Sequence, residues 1–131
     1  MLDRIEIKKI AKARFKDAEV LLSAKRYDGA VYLCGYAVEL GLKSKICKTL
    51  HWQGFPETNS EFQDYRSFKT HDLDVLLHLS GTEDKIKSQY FVEWSAVSQW
   101  NPEARYQPIG NVSKSEAQLM LSSTALLLKK L

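Results

Sequence analysis

Several large functional classes are closed off by what this chain lacks. No apolar run approaches the roughly 20 residues that a membrane-spanning helix needs, so no membrane role is expected. The opening residues, Met1-Leu2-Asp3-Arg4-Ile5-Glu6, contain no apolar stretch of the kind that leads secreted proteins, and a cytoplasmic location is the expectation. Cysteine is scarce. Cys34 and Cys47 stand far apart at helical positions, which argues against a disulfide framework or a cysteine-rich zinc site and for two buried thiols acting as small hydrophobes. There is no His-Glu-x-x-His pair and nothing resembling a nucleophile elbow. Asp74 and His78 lie four apart with His71 further back on the same face, but no second ligand motif accompanies them, and neither a metal nor a cofactor is expected. No internal repeat, no low-complexity segment and no sustained strand-type alternation is present.

What remains is an ordinary globule by composition, with 131 residues, enough for one domain spanning 1–131 with a real core. The net charge of +3 conceals an asymmetry. Residues 1–51 carry eleven Lys and Arg against six Asp and Glu, while residues 52–131 carry eight against ten. The basic part includes Arg4, Lys8, Lys9, Lys12, Arg14 and Lys16, and later Lys43, Lys45 and Lys48. Such a bias attracts phosphate-bearing partners through long-range steering. Asp3, Glu6, Asp17 and Glu19 interleave with the first cluster, so a solvated helix surface is the competing reading.

Apolar spacing predicts a first helix over about Asp3–Ala24, capped by Asp3, with Ile7, Ile10, Ala11, Ala18, Leu21 and Leu22 inward. After a short break at Lys25–Asp28, a second helix should fold back antiparallel, from Asp28 as its cap to near Leu50. Its inward stripe, Ala30, Leu33, Cys34, Ala37, Leu40 and Gly41, is built from small residues and lets a neighbouring helix approach closely. Gly41 costs a helix about 1 kcal/mol relative to Ala, which implies a packing reason for it. Residues 51–69 form a long loop rich in aromatic rings, either a lid over the bundle end or a contact surface. Thr70 offers the cap of a third helix bearing Leu73, Leu76, Leu77 and Leu79, and a fourth runs from Thr82 to about Val97. Ser113 with Glu116 forms a capping box for the last helix. The expected fold is an all-α antiparallel four-to-five-helix up-and-down bundle, a form that places functional groups between facing helices.

Two patterns in the long second helix, Tyr27-Asp28-x-Ala30-Val31-Tyr32 and Ala37-Val38-Glu39-Leu40-x-Leu42-Lys43, carry a family resemblance. Thr70-His71-Asp72-Leu73 and Arg105-Tyr106 add to it. In this order, over nearly the whole chain, they resemble HEPN domains, the higher eukaryote and prokaryote nucleotide-binding bundles. Gln107 separates Tyr106 from Pro108, a departure from the Arg-Tyr-Pro element of one branch. Many members of that family are metal-independent endoribonucleases of toxin–antitoxin or defence systems, marked by Arg-x(4–6)-His acting across a homodimer. Others lack that motif and bind nucleotides or partner a minimal nucleotidyltransferase. The resemblance therefore implies a homodimer that binds nucleotide or RNA phosphates, with the nucleotidyltransferase-partner module and the endoribonuclease as alternatives.

Arg66 and His71 fit the catalytic spacing, with four residues between them, but at the entry to the third helix rather than late in the bundle. Arg105 lies nearer the expected place, with no His after it. As a pair, His71 would move a proton and Arg66 would bind phosphate. Alternatively, His71 caps its helix or hydrogen-bonds to a neighbouring one. Arg105, Tyr106, Lys43 and Glu39 are the candidate nucleotide or phosphate contacts, with Lys45 as a further cation and Tyr36 or Trp100 as stacking partners. The competing readings are core packing for the rings and a surface ion pair for Glu39 and Lys43.

Overall fold

Helix begins where the sequence first supplies a cap. In the computed structural model, which describes residues 1–131, the Asp3 carboxylate accepts from the N–H groups of Ile5 and Glu6, and α1 (Arg4–Ser23) follows. Three residues turn the chain, with Lys25 in the left-handed region at φ 62°. The second helix, α2 (Tyr27–Leu50), then runs back along α1. It starts one residue earlier than the sequence suggests, and Asp28 is not its cap. The Asp28 carboxylate instead accepts from the N–H groups of Gly110 (2.6 Å) and Val112 (3.0 Å), which pins the connection before the last helix to the start of α2.

The loop after α2 returns to the N-terminus. Gly54–Phe55 pairs antiparallel with Leu2–Asp3, with Leu2 opposite Phe55. Each strand has two residues, too few to display alternation in the sequence. Trp52 packs edge-on against Tyr65 with ring centres 5.0 Å apart, and Phe55 against Phe62 at 6.0 Å. Phe55 and Phe62 are buried, so the loop closes over the core with its own rings. A 3₁₀ turn over Arg66–Phe68 leads to α3 (Leu73–Ser80). Its cap is Asp72, whose carboxylate accepts from Val75 N–H, and not Thr70. Thr70 Oγ1 accepts from the Asp72 N–H and so supports the cap from one step back.

Gly81 ends α3 at φ 77°. The expected fourth helix is two helices, α4 (Glu83–Gln89) and α5 (Phe91–Ser98), because Tyr90 leaves the helical region at φ −131°. Tyr90-Phe91-Val92 is a run of residues that lose side-chain freedom in a helix, and the chain bends there. Trp94 and Val97 remain inward while Phe91 and Val92 face solvent. A second 3₁₀ turn (Pro102–Tyr106) precedes α6 (Lys114–Lys130), which opens with the full Ser113–Glu116 capping box. The protein is all-α, with six α-helices and one two-residue strand pair. No helix is long and apolar enough to cross a membrane.

Helix α2 lies at the centre, against α1, α3, α6, the Gly54–Phe55 strand and the second 3₁₀ turn. It buries residues all round, Val38, Leu42 and Ile46 as well as Ala30, Cys34 and Ala37. Small residues make this possible. A Cβ on Gly41 would lie 2.9 Å from the Leu128 Cδ2 of α6, the packing reason its position implies. The tighter contact is at Gly35, where a Cβ would lie 2.1 Å from the Trp100 ring. A leucine tip can turn aside, whereas a buried indole cannot, so Gly35 is the stricter of the two.

Gly35→Ala should therefore destabilise the fold by about 1–3 kcal/mol, read from the denaturation midpoint, and more than Gly41→Ala. Cys34 and Cys47 are free and buried. Burial pushes their thiols up, to about 12 and about 11, because the thiolate would lose its hydration. Raised folded-state values mean that this stability is present below the ordinary thiol range and is lost as pH climbs from about 9 toward 12. Native protein should resist alkylation at pH 8, while denatured protein labels at both sites. Rapid labelling of the native form would contradict the packing.

Candidate functional site

One strip of α2 gathers most of the residues singled out from the sequence. Tyr32, Tyr36, Glu39 and Lys43 repeat at three- and four-residue spacing and so share a face. Glu39 is the anchor. Its side chain is only 3% exposed, an unusual place for a carboxylate, and it is engaged on both sides. Lys43, one turn on, donates to Oε2 at 2.9 Å. His71 Nδ1 stands 3.1 Å from both carboxylate oxygens. The Lys43 ammonium also sits 5.3 Å from the centre of the Phe55 ring. The Glu39–Lys43 pair is thus a partly buried structural bridge, not a surface pair, and the Lys43 charge is already matched.

His71 reaches Glu39 because α3 packs Leu73, Leu76 and Leu77 into the core beside α2. The residue just before the Asp72 cap is thereby held against the α2 surface. The His71 side chain remains 65% exposed. With Nδ1 facing a carboxylate, Nδ1 carries a proton, and Nε2 is the nitrogen left for solvent or ligand. A carboxylate that fixes the tautomer of an exposed imidazole is the arrangement proton transfer requires.

The other end of the strip belongs to the 3₁₀ turn Pro102–Tyr106. The Arg105 guanidinium lies 4.9 Å from the centre of the Tyr106 ring. The neighbouring Tyr106 and then Tyr32 side chains push its pKa still higher than the ordinary guanidinium value. Tyr106 is 70% exposed, so the pair presents a cation and an open ring face to solvent. Beside it, Trp100 packs on Tyr32 with ring centres 5.9 Å apart. The indole is only 8% exposed, and its Nε1–H is buried with no hydrogen-bond partner. Trp100 is therefore a packed ring rather than a stacking platform, but one with an unsatisfied donor. Tyr32 and Glu39 are seven residues apart, about 10 Å along the helix, so Arg105 and His71 border one face without touching.

Arg66 stands apart from this face. It lines a shallow depression with Asn59, Ser60, Gln63 and Lys69, while His71 pairs with Glu39. Spacing in sequence placed them together, whereas the 3₁₀ turn and the cap of α3 separate them. The Asp74, His78 and His71 side chains also diverge. Asp74 accepts from the Trp94 indole N–H at 2.9 Å, His78 faces Glu83 at 3.3 Å, and His71 faces Glu39. Lys45 points to the other side of α2, into a cleft against α1.

Glu39→Gln keeps the shape but removes the charge that holds the Lys43 ammonium and the His71 imidazole, and should cost about 1.5–3 kcal/mol of stability. His71→Ala removes a contact made largely in water and should cost about 0–1 kcal/mol. Chemical denaturation of the two variants checks the order, and equal losses would contradict it.

Residues 6–60, which span most of α1, all of α2 and the strand after it, match the model of the HEPN domain family. Thr70–Leu73 and Arg105–Tyr106 lie outside that stretch. Neither a curated protein nor a solved structure matches the chain.

Proposed function

From the match of residues 6–60 to the HEPN domain model, we propose that this chain is a HEPN-family protein that binds the phosphates of RNA or of a nucleotide, as a homodimer, in a toxin–antitoxin or defence setting. The observation that carries the reading is the α2 strip. An exposed Arg–Tyr pair closes one end, and an exposed histidine anchored by a buried carboxylate closes the other. Arg105 would take a phosphate through its planar fork, and the open Tyr106 face would receive a base. His71 would donate to a second phosphate oxygen from Nε2, while Glu39 and Lys43 keep it in place.

The Glu39–His71 contact also favours a second reading, metal-independent cleavage of RNA. In that reaction His71 Nε2 takes the proton of a ribose 2′-hydroxyl. The 2′-oxygen attacks the adjacent phosphorus, and the 5′-oxygen of the next nucleotide leaves with a proton from an acid. The products are a 2′,3′-cyclic phosphate and a 5′-hydroxyl. Arg105, not Arg66, is the cation on the same face.

Titration of fluorescent single-stranded RNA and of a labelled nucleotide tests the binding reading. Arg105→Ala should weaken affinity by roughly tenfold, the loss of one charge-assisted contact, with helicity unchanged by circular dichroism. Unaltered affinity removes Arg105 from the site. Incubation with unstructured RNA tests the cleavage reading, since fragments that vanish in His71→Ala support it and intact RNA rules it out. Absence of RNA binding together with stable co-purification of a nucleotidyltransferase would favour the partner module instead.

A further inference from the structure

The side of α2 turned away from Glu39 holds a different concentration of charge. A helix turns about 100° per residue, so Gly41, Ser44, Lys45 and Lys48 fall opposite Tyr32, Glu39 and Lys43. There α1, α2 and the end of α6 enclose an open cleft of about 270 Å³. Five cationic side chains border it, Arg4, Lys8 and Lys12 from α1 and Lys45 and Lys48 from α2, and no acidic residue does. Ala11, Gly41 and Leu128 provide an apolar floor.

None of these five cations forms an ion pair. Glu6 pairs with Lys9, Asp17 with Arg14 and Glu39 with Lys43, and Asp28 holds Gly110 and Val112, while Glu19, further along α1, lies outside the cleft lining. The row itself is unfavourable for a free protein. Arg4, Lys8 and Lys12 are successive i, i+4 neighbours of like charge, a spacing that destabilises a helix. Burial, followed by the charges of Lys48, Lys85 and Lys8, pushes the Lys45 ammonium below its ordinary value. At the end of α6, Lys85 donates to the Lys130 carbonyl at 3.2 Å. Ser44 is committed to the Arg4 carbonyl at 3.1 Å.

We propose that this cleft is a second binding site, one that takes a run of consecutive phosphates as in the backbone of single-stranded RNA. The α1 row extends about 12 Å from Arg4 to Lys12, longer than one phosphate group and suited to several in succession. No aromatic ring lines the cleft to stack on a base, and no acidic side chain is there to read a ribose or a base edge. The site therefore follows backbone charge without base preference. It lies on the opposite side of α2 from Arg105 and His71, and it stands whether or not the Arg105 face binds.

The test is fluorescence anisotropy of labelled 12-nucleotide RNA over a range of salt concentrations, with the whole chain and with Lys8→Gln/Lys45→Gln. The double variant removes like-charge repulsion and should fold at least as stably, which a melting curve checks. Its affinity should fall roughly tenfold, and its salt slope should lessen by about 1.4, for two lost phosphate contacts. Oligo-U and oligo-A should bind alike. A variant with unchanged affinity and slope overturns the proposal, as does displacement of the RNA by a mononucleotide as efficient as by the oligomer. Binding of inorganic polyphosphate without any binding of RNA overturns the nucleic-acid assignment. Arg105→Ala in parallel separates the two faces, since loss in that variant alone assigns RNA to the Arg105 face and removes it from the cleft.

Discussion

The constraint on which the rest of the structure depends is the close approach of neighbouring elements to α2. The Trp100 ring rests against Gly35 with no space for a methyl group, and Leu128 closes on Gly41. Ala30, Cys34 and Ala37 are fully buried in the same helix. Larger side chains would hold α1, α6 and the second 3₁₀ turn further away, and dispersion contacts fall steeply with such gaps. A helix surrounded in this way has no spare face for solvent. Any polar group on it must be satisfied by a partner or opened to water at a deliberate gap. That requirement governs both charged regions of the molecule.

Glu39 shows the first solution. A carboxylate at 3% exposure is tolerated because Lys43 and His71 both meet it, one from the same helix and one from the residue before the α3 cap. The cost of burial is offset by charge-assisted hydrogen bonds, and the return is positional. His71 is an exposed ring on an irregular segment, yet its orientation is set by a rigid helix. Such segments carry function best when a regular scaffold fixes them. The second solution is the cleft opposite, where cations are left unmatched beside apolar surface at an open gap. The two regions differ in kind. One is neutralised internally and presents geometry, whereas the other presents uncompensated charge.

Features written as local pattern were legible in the sequence. The Asp3 cap, the hairpin of two long helices, the Ser113–Glu116 capping box and the buried thiols all follow from spacing and residue type, and the structure has them. So does the close packing at Gly41. What the pattern did not disclose depends on distant partners. Asp28 resembles a cap, but its carboxylate holds Gly110 and Val112, more than 80 positions away. Thr70 yields the cap to Asp72, because both are good capping residues and only the approach of α3 to α2 chooses between them. The Arg66–His71 spacing suggested one site, and an intervening 3₁₀ turn divides it. Gly35 looked like any glycine until Trp100, 65 positions on, was placed over it. The basic bias of residues 1–51 was visible as a number. Its convergence into a cleft needed the relative rotation of α1 and α2, which no local pattern carries.

Geometry also orders the functional alternatives that the HEPN match over residues 6–60 raises. Cleavage needs a proton acceptor and a cation that meets the developing charge on one phosphate. His71 has the first attribute, but the nearest cation, Lys43, is held by the same carboxylate that holds the imidazole. A phosphate approaching Nε2 within one protomer would therefore meet Arg105 only from about two helical turns away. A second copy of the chain could close that distance by bringing its own Arg105 to this protomer's His71, so the nuclease reading depends on the proposed homodimer. Binding carries no such condition. On the proposed reading the Arg105–Tyr106 pair and the opposite cleft would each hold phosphates within one protomer, and phosphates held on both sides of α2 would wrap the RNA around the bundle rather than thread it through a catalytic pocket.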